Sequence, residues 1–143
     1  MVSGSLAVAT AAIFVWLGMV LAISFLEAPL KFRAPGVTVP VGLGIGRLVF
    51  RALNTAEAMF AVAVIVAFAV GAPPARVLAA GAVAIAVLIV QLAVVRPVLN
   101  RRSDRVLAGE DAPRSRAHYW YIALEAIKVV ALLVTGILLL AAV

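Results

Sequence analysis

The sequence predicts an all-α polytopic membrane protein, a single domain over residues 1–143 built as a bundle of four transmembrane helices. Hydrophobic residues make up 66% of the chain and charged residues 13%, against about half and about a quarter in a soluble domain. The mean hydropathy is +1.23. The apolar residues also form four separate runs, each long enough to cross a hydrocarbon core of about 30 Å as a helix.

The residue inventory excludes several classes of function. The chain has no cysteine, so disulfides, thiolate metal sites, iron–sulfur clusters and thiol nucleophiles are absent. No nucleophile–base pair or phosphate-binding loop stands out, so the sequence does not support an enzyme. We expect no cofactor and no metal ion, and no nucleic acid as partner because the chain has no soluble basic face.

The first predicted span covers about residues 6–26 and carries no charge. Glu27 ends it, and Pro29 disfavours its continuation as a helix. Prolines and glycines recur through residues 27–46, which predicts a loop or an interfacial crossing.

The second and third spans are predicted at about residues 47–70 and 76–95. The short link between them predicts that these two helices are antiparallel neighbours. Arg96-Pro97 either ends span 3 or kinks it near its end. Residues 96–117 form the one hydrophilic segment, with one short interfacial turn, and residues 118–142 form span 4.

The basic residues predict how the chain is oriented. Ten of them lie in or beside residues 27–46 and 96–117, whereas the opposite side has Arg76 alone. Because cytoplasmic loops are enriched in lysine and arginine, we expect both charged loops in the cytoplasm and both termini outside it. We expect a multi-pass protein of the plasma membrane, and the strong bias argues against insertion in both orientations.

Charged side chains inside two of the spans share one helical face. In span 2, Arg47, Arg51, Asn54 and Glu57 fit on a face about 120° wide. A carboxylate inside a bilayer needs a partner, and Glu57 is expected about 10 Å in from the cytoplasmic boundary.

Span 4 repeats the pattern on a narrow stripe. The stripe holds His118, Tyr121, Glu125 and Lys128, of which the last two are close enough to pair along the helix. His118 could belong to an aromatic belt with the neighbouring aromatic residues or act in a proton relay.

These stripes predict one polar pocket in the cytoplasmic half of the membrane. Span 3 adds Gln91 and the end of span 1 adds Glu27. The candidate pocket residues are Glu27, Arg47, Arg51, Asn54, Glu57, Gln91, His118, Tyr121, Glu125 and Lys128. We expect the carboxylates Glu27, Glu57 and Glu125 to be matched by the cations Arg47, Arg51 and Lys128.

Several interpretations of this pocket stay open. It could bind or transport an ion, a proton or a small molecule, with Glu57, Glu125 and Lys128 as its central charges and Arg47, Arg51 and Asn54 gating or orienting. It could instead be a structural network in a non-catalytic accessory or scaffold protein. An interface to a partner membrane protein, a homo-oligomer, and an interfacial enzyme acting on lipid head groups are further alternatives.

Three stretches resemble known proteins: residues 27–35, residues 42–50 and residues 118–128. They resemble a group of small uncharacterised bacterial four-span membrane proteins and, more loosely, the transmembrane-protein-205-like family. That family has a Pro-x-x-Phe segment after span 1 and a polar start to span 4. The resemblance implies a four-helix membrane protein. The tolerance to platinum drugs associated with a eukaryotic member is not carried over, since this chain has no cysteine to bind such a metal.

Overall fold

The computed structural model describes residues 4–114 and 116–142. Four long helices account for most of this part of the chain: α1 Gly4–Arg33, α2 Val39–Gly71, α3 Ala75–Leu107 and α4 Arg116–Ala141. Each is long and apolar enough to cross a membrane, and the described residues contain no strand. The predicted all-α fold with four membrane-spanning helices is therefore confirmed.

The helices extend beyond the predicted spans into segments that we expected to be loops. Between α1 and α2, only residues 34–38 lie outside the helices. Pro40 does not prevent helix formation, because the first turn of a helix does not use the proline's missing N–H. Thr38 caps this turn, and its side chain accepts a hydrogen bond from the backbone N–H of Val41 at 3.3 Å.

Two prolines lie inside helices rather than at their ends. Pro29 and Pro97 each follow a π-helical segment, Leu21–Glu27 and Gln91–Val95 respectively. In a regular α-helix a proline ring would collide with the carbonyl four residues earlier, and the wider π-helical turn gives it room. Span 3 therefore does not end at Arg96-Pro97, and α3 continues to Leu107.

The four helices alternate in direction, so the end of α1, the start of α2, the end of α3 and the start of α4 meet at one end of the bundle, here named the charged end. The opposite end is named the apolar end. α1 packs against α2 and α4, and α3 packs against α4. α2 approaches α3 mainly where the segment Arg96–Leu107 lies beside it. The predicted neighbour relation of spans 2 and 3 therefore holds chiefly at the charged end, because α1 and α4 form the central contact elsewhere.

The outer surface of the bundle exposes many large apolar side chains. Leu48, Met59 and Val70 expose 72%, 69% and 73% of their surface. A soluble protein rarely exposes such continuous apolar area, and on membrane-spanning helices these side chains contact lipid. The bilayer is therefore a partner of this chain.

The interior has three layers along the bundle axis. Toward the apolar end, buried apolar side chains from all four helices pack together, among them Ile13, Val64, Val77 and Leu132. Buried polar side chains occupy the middle. A cavity lies at the charged end. The apolar layer holds the helices together and sets the position of the two layers that carry chemistry.

Gly136 allows α1 and α4 to approach closely in the apolar layer. A Cβ atom at Gly136 would lie 2.6 Å from Cζ of Phe14, whereas one at Gly18 would meet nothing within 4 Å. We expect Gly136→Leu to lower the free energy of unfolding by about 1–3 kcal/mol through overpacking. Gly18→Leu, the matched control, should leave it unchanged or raise it, since leucine favours helix. Thermal unfolding in detergent, followed by circular dichroism, measures both, and equal losses would contradict the proposed close packing.

Candidate functional site

A lysine lies at the centre of the buried polar layer. Nζ of Lys128 is 2.5 Å from Oε1 of Glu57 and 2.6 Å from Oε1 of Glu125. It also donates a hydrogen bond to Oε1 of Gln91 at 2.8 Å. These side chains come from α2, α3 and α4, and each exposes at most 1% of its surface. We call Glu57, Gln91, Glu125 and Lys128 the buried cluster.

α1 supplies two further hydrogen-bond donors to the buried cluster. The indole Nε1–H of Trp16 donates to Oε1 of Glu57 at 3.0 Å, and the hydroxyl of Ser24 donates to Oε2 of Glu125 at 2.7 Å. Gln91 donates from Nε2 to Oε1 of Glu125 at 3.3 Å. Ser24 and Gln91 both belong to π-helical segments. The two irregular turns therefore each contribute one polar partner to the same carboxylate.

The charges of the buried cluster are not balanced. It holds the carboxylates of Glu57 and Glu125 against the single ammonium of Lys128. Within the part of the chain that the structure describes, Oε2 of Glu57 is buried and accepts no hydrogen bond. A buried carboxylate oxygen without a donor is unfavourable in hydrocarbon. Within the buried cluster of the described structure, Oε2 of Glu57 is the acceptor whose hydrogen bonding is not satisfied.

Two of the expected ion pairs have other partners. Arg47 pairs with Asp104 on the continuation of α3, and Glu27 pairs with Lys31 one turn further along α1 at 3.7 Å. Both pairs depend on helix that extends past the prolines, which the prediction of loops did not include. The expected matching of carboxylates and cations is therefore right for Lys128 with Glu57 and Glu125, and wrong for Glu27 and Arg47.

Two other predicted pocket residues lie outside the cluster. Arg51 is exposed, and Asn54 is only half-buried. No ion pair is formed by Arg51 among residues 4–114 and 116–142. Arg51 and Asn54 were expected to enter the pocket because they share a helical face about 120° wide with Glu57. A face this wide is not buried over its whole width, and Arg51 lies on the part that is exposed.

A cavity of about 550 Å³ opens among the four helices at the charged end. Ser24 and Glu125 line it, so its inner wall is one face of the buried cluster. Its walls are rich in apolar side chains, including Phe25, Leu43 and Ile122. The predicted polar pocket thus consists of two parts, a closed cluster and a cavity that reaches it.

Basic side chains dominate the polar part of the cavity wall. They are Lys31, Arg47, Arg96, Arg102, Arg114 and His118, whereas Glu125 is the only acidic residue in the described lining. Some of these basic side chains have protein partners: besides the ion pairs above, Arg102 donates from Nε to the carbonyl of Ala112 at 3.0 Å. The excess of positive charge favours an anion inside the cavity.

Arg96 is held in this wall by two aromatic rings and forms no ion pair within the described residues. Its guanidinium carbon lies 4.8 Å from the ring centroid of Phe50 and 4.5 Å from that of Tyr121. Cation–π contacts of this kind hold a guanidinium in place without using its N–H donors. Nε and Nη2 of Arg96 and the hydroxyl of Tyr121 are buried without a hydrogen-bond partner in the described structure.

The remaining candidate residues lie at the rim and on the wall of the cavity. His118 is half-buried, lines the cavity and meets Tyr119 edge-on, with ring centroids 5.7 Å apart. Tyr119 and Trp120 expose 64% and 63% of their surface. Exposed aromatic residues at a helix end fit the predicted interfacial belt, while Tyr121 turns inward.

Sequence reasoning missed three residues of this site: Trp16, Ser24 and Arg96. For Trp16 and Ser24 the sequence contained a weak signal, since a tryptophan and a serine inside an apolar span are candidates for hydrogen bonds to buried carboxylates. Arg96 immediately precedes a proline at the predicted end of span 3, and we assigned it to the boundary rather than the pocket.

Metal binding is a poor match for this chemistry. In the part of the chain that the structure describes, no group of three or more histidine, cysteine, aspartate or glutamate side chains could hold an ion. What the cavity offers is an arginine edge, a phenol and a ring of further positive charge. This set of donors binds carboxylates and phosphates.

No protein-family model, curated protein or solved structure matches this chain. The resemblance to small bacterial four-span membrane proteins and to the transmembrane-protein-205-like family therefore stays a prediction.

Proposed function

We propose that this membrane protein binds a small organic anion in the cavity at its charged end, as the binding step of transport. The observation that carries the proposal is the guanidinium of Arg96. It lines a cavity of about 550 Å³, contacts the rings of both Phe50 and Tyr121, and has two nitrogen atoms without a partner in the described structure.

The geometry of Arg96 supports an anionic ligand with two oxygen atoms. An arginine whose N–H groups form a fork binds a carboxylate or phosphate through two parallel hydrogen bonds. The two aromatic rings position the fork before a ligand arrives, which reduces the entropy lost on binding. Tyr121, whose ring contacts this guanidinium, carries a hydroxyl without a partner in the described structure, which offers a further donor.

The size and the other walls of the cavity support a ligand with an apolar part. Small-molecule sites commonly have volumes of roughly 300–1,000 Å³ and mostly apolar walls. Phe25, Leu43 and Leu99 line the cavity beside the charged groups. An aromatic or short aliphatic acid would place its carboxylate at Arg96 and its hydrocarbon against these side chains. The same chemistry occurs in the head group of an anionic lipid, so the source of the anion has to be tested.

Calorimetric titration of the purified protein tests the proposal with two probes. Benzoate represents a free organic anion, and phosphatidic acid in a neutral-lipid nanodisc represents an anionic head group. We expect benzoate to bind, and Arg96→Gln to weaken that binding by roughly 10–100-fold, since a hydrogen-bonded charge contributes about 1.5–3 kcal/mol. Arg76→Gln removes an exposed arginine at the apolar end and should leave the affinity unchanged.

Each other outcome has a clear meaning. Binding of phosphatidic acid alone, with the same loss in Arg96→Gln, would identify a lipid head group as the ligand. Equal affinities in the two arginine variants would show that Arg96 does not hold the anion. If neither probe binds, the proposal is overturned, and the accessory or scaffold role, in which the charged network only locks the helices, becomes the better explanation.

A further inference from the structure

We infer that the buried cluster takes up one proton, on Glu57, when the cavity binds its anion, so that the anion and the proton enter the protein together. This inference rests on the proposed function, because it describes how the same site is regulated. It is carried by the charge count of the cluster, by one oxygen atom without a donor, and by the position of Glu125 between cluster and cavity.

The charge count leaves one negative charge in excess. When ionised, Glu57 and Glu125 contribute two negative charges and Lys128 one positive charge, while Gln91 is neutral. All of these side chains expose at most 1% of their surface. An uncompensated charge at such a site is strongly unfavourable, and one bound proton would make the cluster neutral.

The hydrogen bonds indicate where that proton can be placed. Both oxygen atoms of Glu125 accept hydrogen bonds, Oε1 from Gln91 and Oε2 from Ser24. On Glu57, Oε1 accepts from Trp16 and faces Lys128, whereas Oε2 has no partner among the described residues. A proton on Oε2 of Glu57 therefore displaces no existing bond. The proton leaves a buffer acid in the aqueous phase and forms an O–H bond on Glu57, and the buffer is left as its conjugate base.

Glu125 couples the proton to the anion. Its carboxylate is the only acidic group in the described cavity wall, so it repels an anion held at Arg96. Lys128 is shared between Glu125 and Glu57. Once Glu57 is protonated, the charge of Lys128 is available to balance Glu125 alone, and the repulsion falls. By linkage, a proton that favours the anion must in turn be favoured by it.

The other titratable groups around the cluster come from every helix. They are the Glu27–Lys31 pair on α1, Arg47 and the exposed Arg51 on α2, Arg96 on α3, and His118 and Tyr121 on α4. Of these types of side chain, only histidine ordinarily titrates near neutral pH. His118 lines the cavity and is therefore the competing proton acceptor that the experiment must separate from Glu57.

Benzoate binding to the wild-type protein in buffers of different ionisation enthalpy measures the proton directly. We expect uptake of about one proton per anion, and a dissociation constant that rises up to about tenfold per pH unit over the range where uptake occurs. Glu57→Gln carries no charge and has the shape of the protonated acid. It should bind benzoate as tightly at high pH as the wild type does at low pH, with no proton uptake.

Two control variants separate Glu57 from other groups. Glu110→Gln removes a carboxylate whose side chain is 58% exposed in the loop after α3 and should behave like the wild type. His118→Gln should still take up the proton. Loss of uptake in His118→Gln, or retained uptake in Glu57→Gln, would overturn the inference.

The proposed function and this inference fail in different ways. If the wild type binds no anion, the proposed function fails. If it binds benzoate without proton uptake at any pH, the proposed anion site is supported and the coupling of anion binding to proton uptake is overturned. The wild-type measurement needs no variant. Should Glu57→Gln not fold, Glu125→Gln also leaves one carboxylate against Lys128, and its amide can donate a hydrogen bond to the hydroxyl of Ser24. This variant tests whether the excess carboxylate of the cluster takes up the proton, and retained uptake would overturn the inference.

Discussion

Lys128→Met is expected to lower the free energy of unfolding by about 3–5 kcal/mol, because it leaves two buried carboxylates without their cation. Methionine has nearly the length of lysine and an apolar character suited to the interior, so the loss comes from the charge and not from the shape. Nζ of Lys128 is within 2.6 Å of an oxygen atom of both Glu57 and Glu125, and no other ion pair of the described residues reaches either carboxylate.

A triple variant separates the unpaired charge from the lost side chain. Lys128→Met combined with Glu57→Gln and Glu125→Gln contains no buried charge, and we expect it to recover about 2 kcal/mol or more of the loss. Lys31→Met is the matched control. Its partner Glu27 lies 3.7 Å away with 34% of its side chain exposed, so we expect a change of about 1 kcal/mol or less.

Thermal and denaturant unfolding in detergent, followed by circular dichroism, measure all three proteins. A Lys128→Met variant as stable as Lys31→Met would mean that the carboxylates do not depend on this ammonium. If the triple variant is as unstable as Lys128→Met alone, the loss of unfolding free energy comes from packing and not from the unpaired carboxylates.

The fold class and the core of the site could be predicted because both depend on short-range regularities. Four apolar runs specify four membrane helices, and a rotation of about 100° per residue places Glu125 and Lys128 on one stripe. Glu57 lies inside a span where a charge needs a partner, and only a few such partners exist in the chain. These constraints placed Glu57, Glu125 and Lys128 in one predicted pocket, although the same prediction also included Arg51 and Asn54, which lie outside the buried cluster.

The ion pairs at the charged end could not be predicted, because they depend on where the helices end. Local rules treat Pro29 and Pro97 as helix breakers, whereas π-helical turns accommodate both. Only the continued helices bring Asp104 to Arg47 and Lys31 to Glu27.

The cavity could not be predicted from the sequence for the same reason. Arg96 lies beyond the predicted end of span 3, and it becomes a wall residue only because α3 continues through it. Span 1 carries no charge, so its composition gave only a weak indication that Trp16 and Ser24 donate hydrogen bonds to the two buried carboxylates. Such partners follow from how the helices pack, which a single sequence does not specify.

The layered interior gives a physical reason for the position of the cavity. The apolar layer closes the bundle toward the apolar end, and the buried cluster seals its middle with hydrogen bonds from α1, α3 and α4. Under the proposed function, an anion that enters at the charged end would therefore stop at Glu125. For it to go further, the contacts of Lys128 would have to change, and protonation of Glu57 weakens one of them.

The orientation of the bundle decides which compartment would supply the proposed anion. Single cysteines can report this orientation, because the chain has no cysteine of its own. Glu110 is exposed beside the charged end, and Ala75 is exposed at the start of α3, at the apolar end. With ten basic residues on one side against one on the other, we expect the charged end in the cytoplasm.

An impermeant maleimide applied to intact cells should therefore label Ala75→Cys at least about tenfold more than Glu110→Cys, since strongly biased loops insert in one orientation. Permeabilised cells should label both variants equally, and the wild-type protein should stay unlabelled in either condition. Equal labelling of the two variants in intact cells would indicate insertion in both orientations. The reverse pattern would place the mouth of the cavity outside the cell, so that Arg96 would meet anions from that side and the coupled proton would enter from there as well.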